Sequence, residues 1–448
     1  MKRDQPPASL PVEPPDAVVR IAQRLEDAGF ETWCVGGAVR DALMGHPHLD
    51  WDLATAATPD QVRGLFRRTV ALGIEFGTVG VLDGSKVMHE VTTFRRDVQT
   101  DGRHAVVAFG ASLDEDLARR DFTINAIAYS PTRRRIHDPF RGRQDIERRL
   151  VRAVGEPAAR MREDRLRALR ALRFAARFEF TIDPPTWRAI VDSAPYLDRL
   201  SAERVRQELE KTMEQVDRPS LAIRLWKESG AMATLVPHLA NVSPLVLASL
   251  DELARAGAEP GSDRQRARGE RRTLDRLAAL FAELPASTVQ SVLRALRFSK
   301  REAAWISGVV ARWAQIEPRL RDRAWRGAVD IGQVRRWVAL AGRTYVVSVF
   351  RVGYARMAAL RQLGDQVPSA RELASLYRRA LRSAFRDAVT IADLAIDGND
   401  LAEAGIPPGP HVGRILRVLL EAVLEDQSLN TRDRLLALAK RLYEQRER

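Results

Sequence analysis

A chain of 448 residues with 45% hydrophobic content is too long for one ordinary core, so several domains in a row are expected. Its 72 Lys and Arg against 59 Asp and Glu leave a formal net charge of +13, which favours a polyanionic partner, nucleic acid ahead of an anionic membrane surface, although solubility alone also selects basic chains. The single cysteine, Cys34, excludes an intrachain disulfide and a cysteine-cluster zinc centre, and no stretch approaches the ~20 apolar residues of a membrane span; a soluble, cytoplasmic protein without membrane or disulfide-linked partners is expected.

In chain order, the polar, proline-rich first 15 residues predict a flexible lead-in, and the fold proper starts at about residue 16. Val18, Ile21, Leu25 and Ala28 recur at spacings of three and four, predicting a helix over Ala17 to Phe30. The runs TWCVG, VGVLDG and VMHEVTTF, separated by Gly and Asp turns, predict short strands. From about Val151 onward strand signals fade and Leu, Ala, Arg and Glu recur at helical spacing. The expected fold class is α+β: a mixed α/β head over 16–150, followed by an all-α neck (151–230), body (231–385) and tail (386–448). Within the body, Arg255 to Arg272 breaks the periodicity with Gly, Pro and clustered arginines and reads as an exposed loop, either solvated or touching an RNA backbone. GIPPGPHVG, Gly405 to Gly413, reads as a turn between two C-terminal helices.

The most informative segment is CVGGAVRDALMGHPHLDWDLAT, Cys34 to Thr55. Gly36 and Gly37 allow backbone to approach a triphosphate, and the helix start after them offers N–H groups that Arg40 supplements with charge. Asp50 and Asp52, two apart on an expected strand, share a face while Trp51 and Leu53 point inward. Paired carboxylates repel unless a cation lies between them, and hard oxygen donors suit magnesium with room for phosphates. Glu90, on the strand VMHEVTTF, is the candidate third carboxylate. A lone Asp-X-Asp is most often a surface turn; the combination with a Gly-Gly turn and flanking strands is far more specific. Further on, Asp164, Arg167, Arg170 and Arg173 recur every third residue, and at ~100° per residue such a series winds by ~60° per step. It reads either as a solvated face or as a row of recognition groups, with Leu166, Leu169 and Leu172 as a companion buried stripe.

These segments resemble the class II tRNA nucleotidyltransferases, the CCA-adding enzymes and bacterial poly(A) polymerases of the polymerase-β-like superfamily. The five family motifs correspond in order to GGAVRD with LDWDLAT, LARRDFTINAIAY (Leu117 to Tyr129), HDPFRGRQDIERRLVRAVGEP (His137 to Pro157), EDRLRALRALRFAARF (Glu163 to Phe178) and LSAERVRQELEK (Leu200 to Lys211). IDGNDLAEAGIPPGPHVGRIL and NTRDRLLALA resemble the C-terminal segment of bacterial members. The resemblance implies a polymerase-β-like head whose Asp50, Asp52 and Glu90 are catalytic, with Mg2+ on Asp50 and Asp52. It implies that Asp164 and Arg167 hydrogen-bond the incoming base in place of a template, with Gly36, Gly37, Arg40, Arg120, Arg170 and Arg173 contacting the rest of the nucleotide. The implied activity is addition of C, A or both from CTP and ATP to the 3′ acceptor end of tRNA, with pyrophosphate released. Family members commonly carry an aromatic residue and an Arg-Pro pair in the loop that falls here at Thr93 to Asp116; this chain has Ala105 where Pro is common and no Tyr, which leaves CC-only addition open beside CCA addition. The alternatives are a poly(A) polymerase acting on many RNAs, a non-catalytic RNA-binding relative, and transfer to small molecules or proteins. The single His-Asp pair, His137-Asp138, lies inside a motif and argues against an added phosphohydrolase centre.

Overall fold

The computed structural model describes residues 12–46, 50–100, 105–255, 263–321 and 329–447. Most of the expected lead-in, Asp101 to Arg103 of the departing loop, and 256–262 of the arginine-rich stretch lie outside these. The chain divides into two compact units: the residues up to Glu208 with Arg224–Pro237, and Leu209–Ile223 with the residues from His238 on.

The first unit opens with α1 (Asp16–Asp27), whose Val18, Ile21 and Leu25 are buried as their spacing requires, and which ends at Gly29 with φ 88°. Val12, four residues ahead of the helix, is already buried in the head core. The sheet elements follow: β1 (Thr32–Val35), α2 (Gly37–Leu43), β2 (Asp52–Thr55), α3 (Pro59–Leu65), β3 (Thr69–Ala71), β4 (Thr78–Leu82) and β5 (Met88–Thr93). A separate hairpin, β6 (Arg95–Thr100) with β7 (Ala105–Phe109), precedes α4 (Leu113–Ala118), β8 (Ala128–Ser130), β9 (Arg135–His137) and α5 (Gly142–Glu147). The seven-stranded sheet has the order β3-β4-β5-β2-β1-β8-β9. Both faces of its centre are covered. Cys34 and Leu53 belong to one core cluster with Val18 and Val39, whereas Trp33, Val35 and Ala54 belong to another with Leu117 and Val154. A strand buried on both sides carries polar groups only at its ends, and Asp52 opens β2 at such an end, exposed while Leu53 to Thr55 are buried.

The rest of the first unit and the start of the second comprise β10 (Leu150–Val151), α6 (Pro157–Glu163), α7 (Leu166–Phe178), β11 (Thr181–Ile182), α8 (Pro184–Ser193), α9 (Ala202–Gln215), α10 (Pro219–Glu228) and α11 (Ala231–Leu235). The second unit continues with α12 (Pro244–Arg255), α13 (Asp263–Leu280), α14 (Ala286–Ala295), α15 (Lys300–Arg321), α16 (Ile331–Ala341), α17 (Val346–Gln362) and α18 (Ala370–Arg386), then α19 (Gly398–Glu403), α20 (Pro410–Glu425) and α21 (Arg432–Glu447). The arginine-rich stretch read as a loop is helical from Asp263 onward; Arg, Gln, Ala and Glu are good helix formers, and its Pro and paired small residues fall before that point. The Gly405 to Gly413 turn does separate two helices, α19 and α20, with Gly405 at φ 89°. Among the described residues no helix is long and apolar enough to cross a membrane.

Candidate active site

A polar cavity of about 370 Å3 in the first unit is lined by Asp52 and Glu90 from the sheet, by Arg120 and Asp121, and by Asp164, Arg167 and Arg170. Asp52 and Glu90 meet because β2 and β5 run parallel with Leu53 opposite Val91, so Asp52, which opens β2, stands level with Glu90, the third residue of β5. Both are exposed. Asp50 is exposed as well, but β2 begins only at Asp52, and Asp50 is not among the residues lining the cavity. The alternation holds nonetheless, since Trp51 and Leu53 are buried at 4% and 0% exposure.

Gly36 explains how the backbone comes near this carboxylate. Its φ is 77°, and a Cβ built on it would stand 3.0 Å from Arg120 Nη1 and 3.9 Å from Asp52 Oδ2. Any side chain there would push on the guanidinium and strain the turn. Gly37, the first residue of α2, has only Arg40 Nη2 nearby, at 3.6 Å. Arg40 itself is buried: its Nε donates to Asp41 Oδ1 at 2.7 Å, Nη1 donates to Asn125, and the guanidinium lies over the Phe178 and Phe174 rings, 4.7 and 5.2 Å from their centroids. Burial lowers its proton affinity, and Asp41 opposes that. It is not among the residues lining the cavity.

Arg120 projects from the end of α4, where its Nη2 donates to Asp116 at 3.2 Å and its backbone carbonyl accepts from Arg160 at 2.8 Å. Arg167 is fixed by Glu163, 3.0 Å away, and by the carbonyl of Arg119 at 3.2 Å. Asp164 ends α6, accepts the Leu166 N–H, and receives Arg204 Nη2 on both oxygens, at 2.9 and 2.8 Å. Arg170 Nε donates to Asp121 at 2.8 Å, and Asp121 also accepts from Phe122 N and Asn125. Burial raises the Asp121 pKa, but the Arg170 charge and these hydrogen bonds outweigh it and hold the carboxyl at about 2. Burial likewise works against the Arg170 charge, yet Asp121 and Glu208 raise its proton affinity overall. Through these bonds Asp121 and Asn125 brace the segment that follows α4.

The arginine series divides as its winding demands. Arg167 and Arg170 line the cavity, whereas Arg173 is 3% exposed, donates to Glu208 at 2.7 Å and lies over Phe174 at 4.5 Å. Two steps of ~60° separate it from Arg167. Leu169 and Leu172 are fully buried beside it, while Leu166 is half-buried. Arg95, Thr78 and Thr92 also line the cavity although no local spacing marks them, and Arg204, which grips Asp164, is one of two arginines in LSAERVRQELEK that periodicity alone does not single out. Cys34 is no nucleophile: burial, with Asp52 nearby, pushes its thiol far above the usual range.

Among the described residues no three His, Cys, Asp or Glu side chains form a closed metal cluster. The donor set of Asp52 and Glu90 is nonetheless the kind magnesium takes when phosphates supply its remaining ligands, one or two carboxylates rather than a protein cage.

Comparison with known proteins agrees with this architecture. Residues 32–152 match the "Poly A polymerase head domain" family model, 179–242 the "Probable RNA and SrmB-binding site of polymerase A", and 276–439 a tRNA nucleotidyltransferase domain 2. A Streptococcus suis CCA-adding enzyme is 31% identical over 97% of this chain and 98% of its own length, and that of Geobacillus stearothermophilus is 34% identical over 93% and 94%. The crystal structure of the Bacillus stearothermophilus CCA-adding enzyme in complex with CTP superposes with a TM-score of 0.76 at 32% identity, covering 96% of this chain and 98% of that one. A Thermotoga maritima CCA-adding enzyme complexed with tRNA shares the fold, with a TM-score of 0.65 at 20% identity over 96% and 97% of the two chains.

Proposed function

The chain belongs to the CCA-adding enzyme family, and from that premise we propose that it is a template-independent nucleotidyltransferase that adds C and A from CTP and ATP to the 3′ end of tRNA. Enzymes of this family generally use divalent metals, and magnesium is the ion the carboxylates suit. The observation that carries the reading is one cavity lined by Asp52 and Glu90 of adjacent parallel strands together with Asp164, Arg167 and Arg170. Carboxylates for a cation and side chains able to read a base thus share a space large enough for a nucleotide.

In this reading the tRNA 3′-hydroxyl attacks the α-phosphate in line, the bond from the α-phosphorus to the bridging oxygen breaks, and pyrophosphate leaves. Asp52 and Glu90, with Asp50 two residues ahead of the strand, are the carboxylates that would hold magnesium. When bound, the ion supplies charge neutralisation of the phosphates and a more acidic 3′-hydroxyl. Asp164 accepts from the exocyclic amino group that cytosine and adenine share, and Arg167 donates to a ring nitrogen or carbonyl oxygen. Arg120 and Arg170, in the same cavity, face the phosphates. Gly36 keeps the space beside Asp52 and Arg120 open. Arg40 and Arg173 support the nucleotide from behind, by fixing α2 and α7. A tRNA substrate implies work in the cytoplasm.

The test is extension of tRNA transcripts ending before CCA, after C, or after CC, with magnesium and CTP, ATP or both. Stepwise addition that stops after A meets the proposal. Addition of CC alone assigns the chain to the partial enzymes, long A tails to the poly(A) polymerases, and no extension by a folded protein overturns it.

A further inference from the structure

The second unit contains a cavity that the nucleotidyl-transfer chemistry does not use. Helices α12, α13, α17 and α18 surround about 390 Å3, lined by Arg272 and Asp275 of α13, Arg351 and Tyr354 of α17, and Tyr377 and Arg378 of α18. That volume lies within the range of small-molecule sites, which combine an apolar body with a few polar groups that fix orientation.

Two of the polar groups are left unsatisfied. Asp275 is 1% exposed; its Oδ2 accepts from Arg351 Nη1 at 2.9 Å, while Oδ1 makes no hydrogen bond. One turn earlier, Arg272 Nε is buried without a partner. The buried Ser348 hydroxyl helps to hold the Asp275 charge, yet it too lacks a hydrogen bond of normal geometry. Burial raises the Asp275 proton affinity against both Ser348 and Arg351. A buried carboxylate oxygen whose neighbouring hydroxyl is poorly placed to donate is costly to leave so, and core packing alone does not call for one here.

The surroundings restrict what could supply the missing partners. Three arginines against Asp275 and Glu252, the latter already accepting from Gln362 Nε2, disfavour a free cation. An acceptor and a donor three residues apart on one helix match a planar group that carries both an N–H and a lone pair. Tyr354 and Tyr377 offer rings for such a group to stack on, and the exposed Arg378 offers charge to an anionic substituent. A bridging water would satisfy the polar atoms but would use neither ring.

We propose that this cavity binds a nucleotide, its base against Tyr354 and Tyr377 with an amino or ring N–H donated to Asp275, and its phosphate toward Arg378. The nucleotide is either free or an unstacked residue of the bound RNA.

Photolabelling of the full-length protein with 8-azido-AMP, and with a tRNA transcript containing 8-azidoadenosine, followed by peptide mapping, tests this. The expected result is labelling within Val346–Gln362 or Ala370–Arg386 that is lost when Ala374→Trp fills the cavity. Labelling by the free nucleotide identifies that source; labelling by the transcript alone identifies an RNA residue. Should Ala374→Trp lower the melting temperature, Tyr377→Leu replaces it as the variant. Labels confined to the first unit with both probes, or body labels unchanged in a folded variant, overturn the proposal. Labels in the first unit report on the active site separately, so the two readings fail independently.

Discussion

Asp164 is the residue on which base selection turns in the proposed mechanism, and both its oxygens are occupied by a single Arg204 nitrogen, at 2.9 and 2.8 Å. A carboxylate held in that way keeps one orientation and presents its remaining lone pairs in a fixed direction. Arg204→Ala should leave the fold intact, because both side chains are about 30% exposed and solvent screens such a pair. Selection should suffer instead. The ratio of CTP to UTP incorporation is expected to fall by about tenfold, the worth of one charge-assisted hydrogen bond, and an unchanged ratio alongside a changed one in Asp164→Ala would show that Arg204 does not orient the reader. Asp121 titrates at about 2 against an ordinary 3.8. A folded pKa below the unfolded one stabilises the protein fully above about pH 5, and that contribution, on the order of 2 kcal/mol, is lost as pH falls through 4 toward 2. Urea unfolding at pH 6 and pH 3 should therefore show Asp121→Asn weaker than the parent at pH 6, with the gap reduced to about half at pH 3.

Helix α7 shows at the scale of an element what a periodic sequence tells and what it conceals. The series Arg167, Arg170, Arg173 was legible as a winding stripe, but its spacing does not say where the stripe leaves the cavity. That point is set by Glu208, which α9 brings to 2.7 Å from Arg173, a contact between residues 35 positions apart. Arg40 poses the same problem from the other direction: its place in the first turn of α2 suggested phosphate, and Phe174 and Phe178, far along the chain, make it a buried cation instead. Strands with strong β-branched runs, β1, β4 and β5, were readable. The three-residue β3, β8 and β9 are too short for period-2 alternation to register and depend on pairing with neighbours. The Gly-Gly turn and the carboxylates were readable because their spacing is local. The expected consequence for α7 is that Arg173→Ala removes the hydrogen-bonded partner of a Glu208 that is 1% exposed, leaving it Arg170 at 3.9 Å, and destabilises the protein by about 3 kcal/mol, the low end for a broken buried pair. Thermal unfolding should register this loss, and extension activity measured well below the lowered melting temperature should fall much less than in Arg167→Ala, whose guanidinium lines the cavity.

For the whole molecule the informative quantity is the formal charge of +13, because it separates two kinds of binding that a CCA-adding enzyme must perform. A nucleoside triphosphate is bound by a few groups in one cavity, whereas an RNA is held along its backbone, and every phosphate neutralised releases condensed counterions. The two affinities must then respond differently to salt. If roughly six phosphates are engaged, tRNA affinity should weaken by a few hundredfold to a thousandfold between about 50 and 200 mM salt, while CTP affinity changes far less. Equilibrium binding of tRNA and of CTP across that range gives both slopes from one preparation. Parallel shallow slopes would mean that the excess arginines serve solubility, the reading that composition alone left open. A steep tRNA slope beside a shallow CTP slope would mean that the excess charge works on RNA, and charge-reversal variants of the exposed arginines on α20 and α21 should then each reduce it by about one unit.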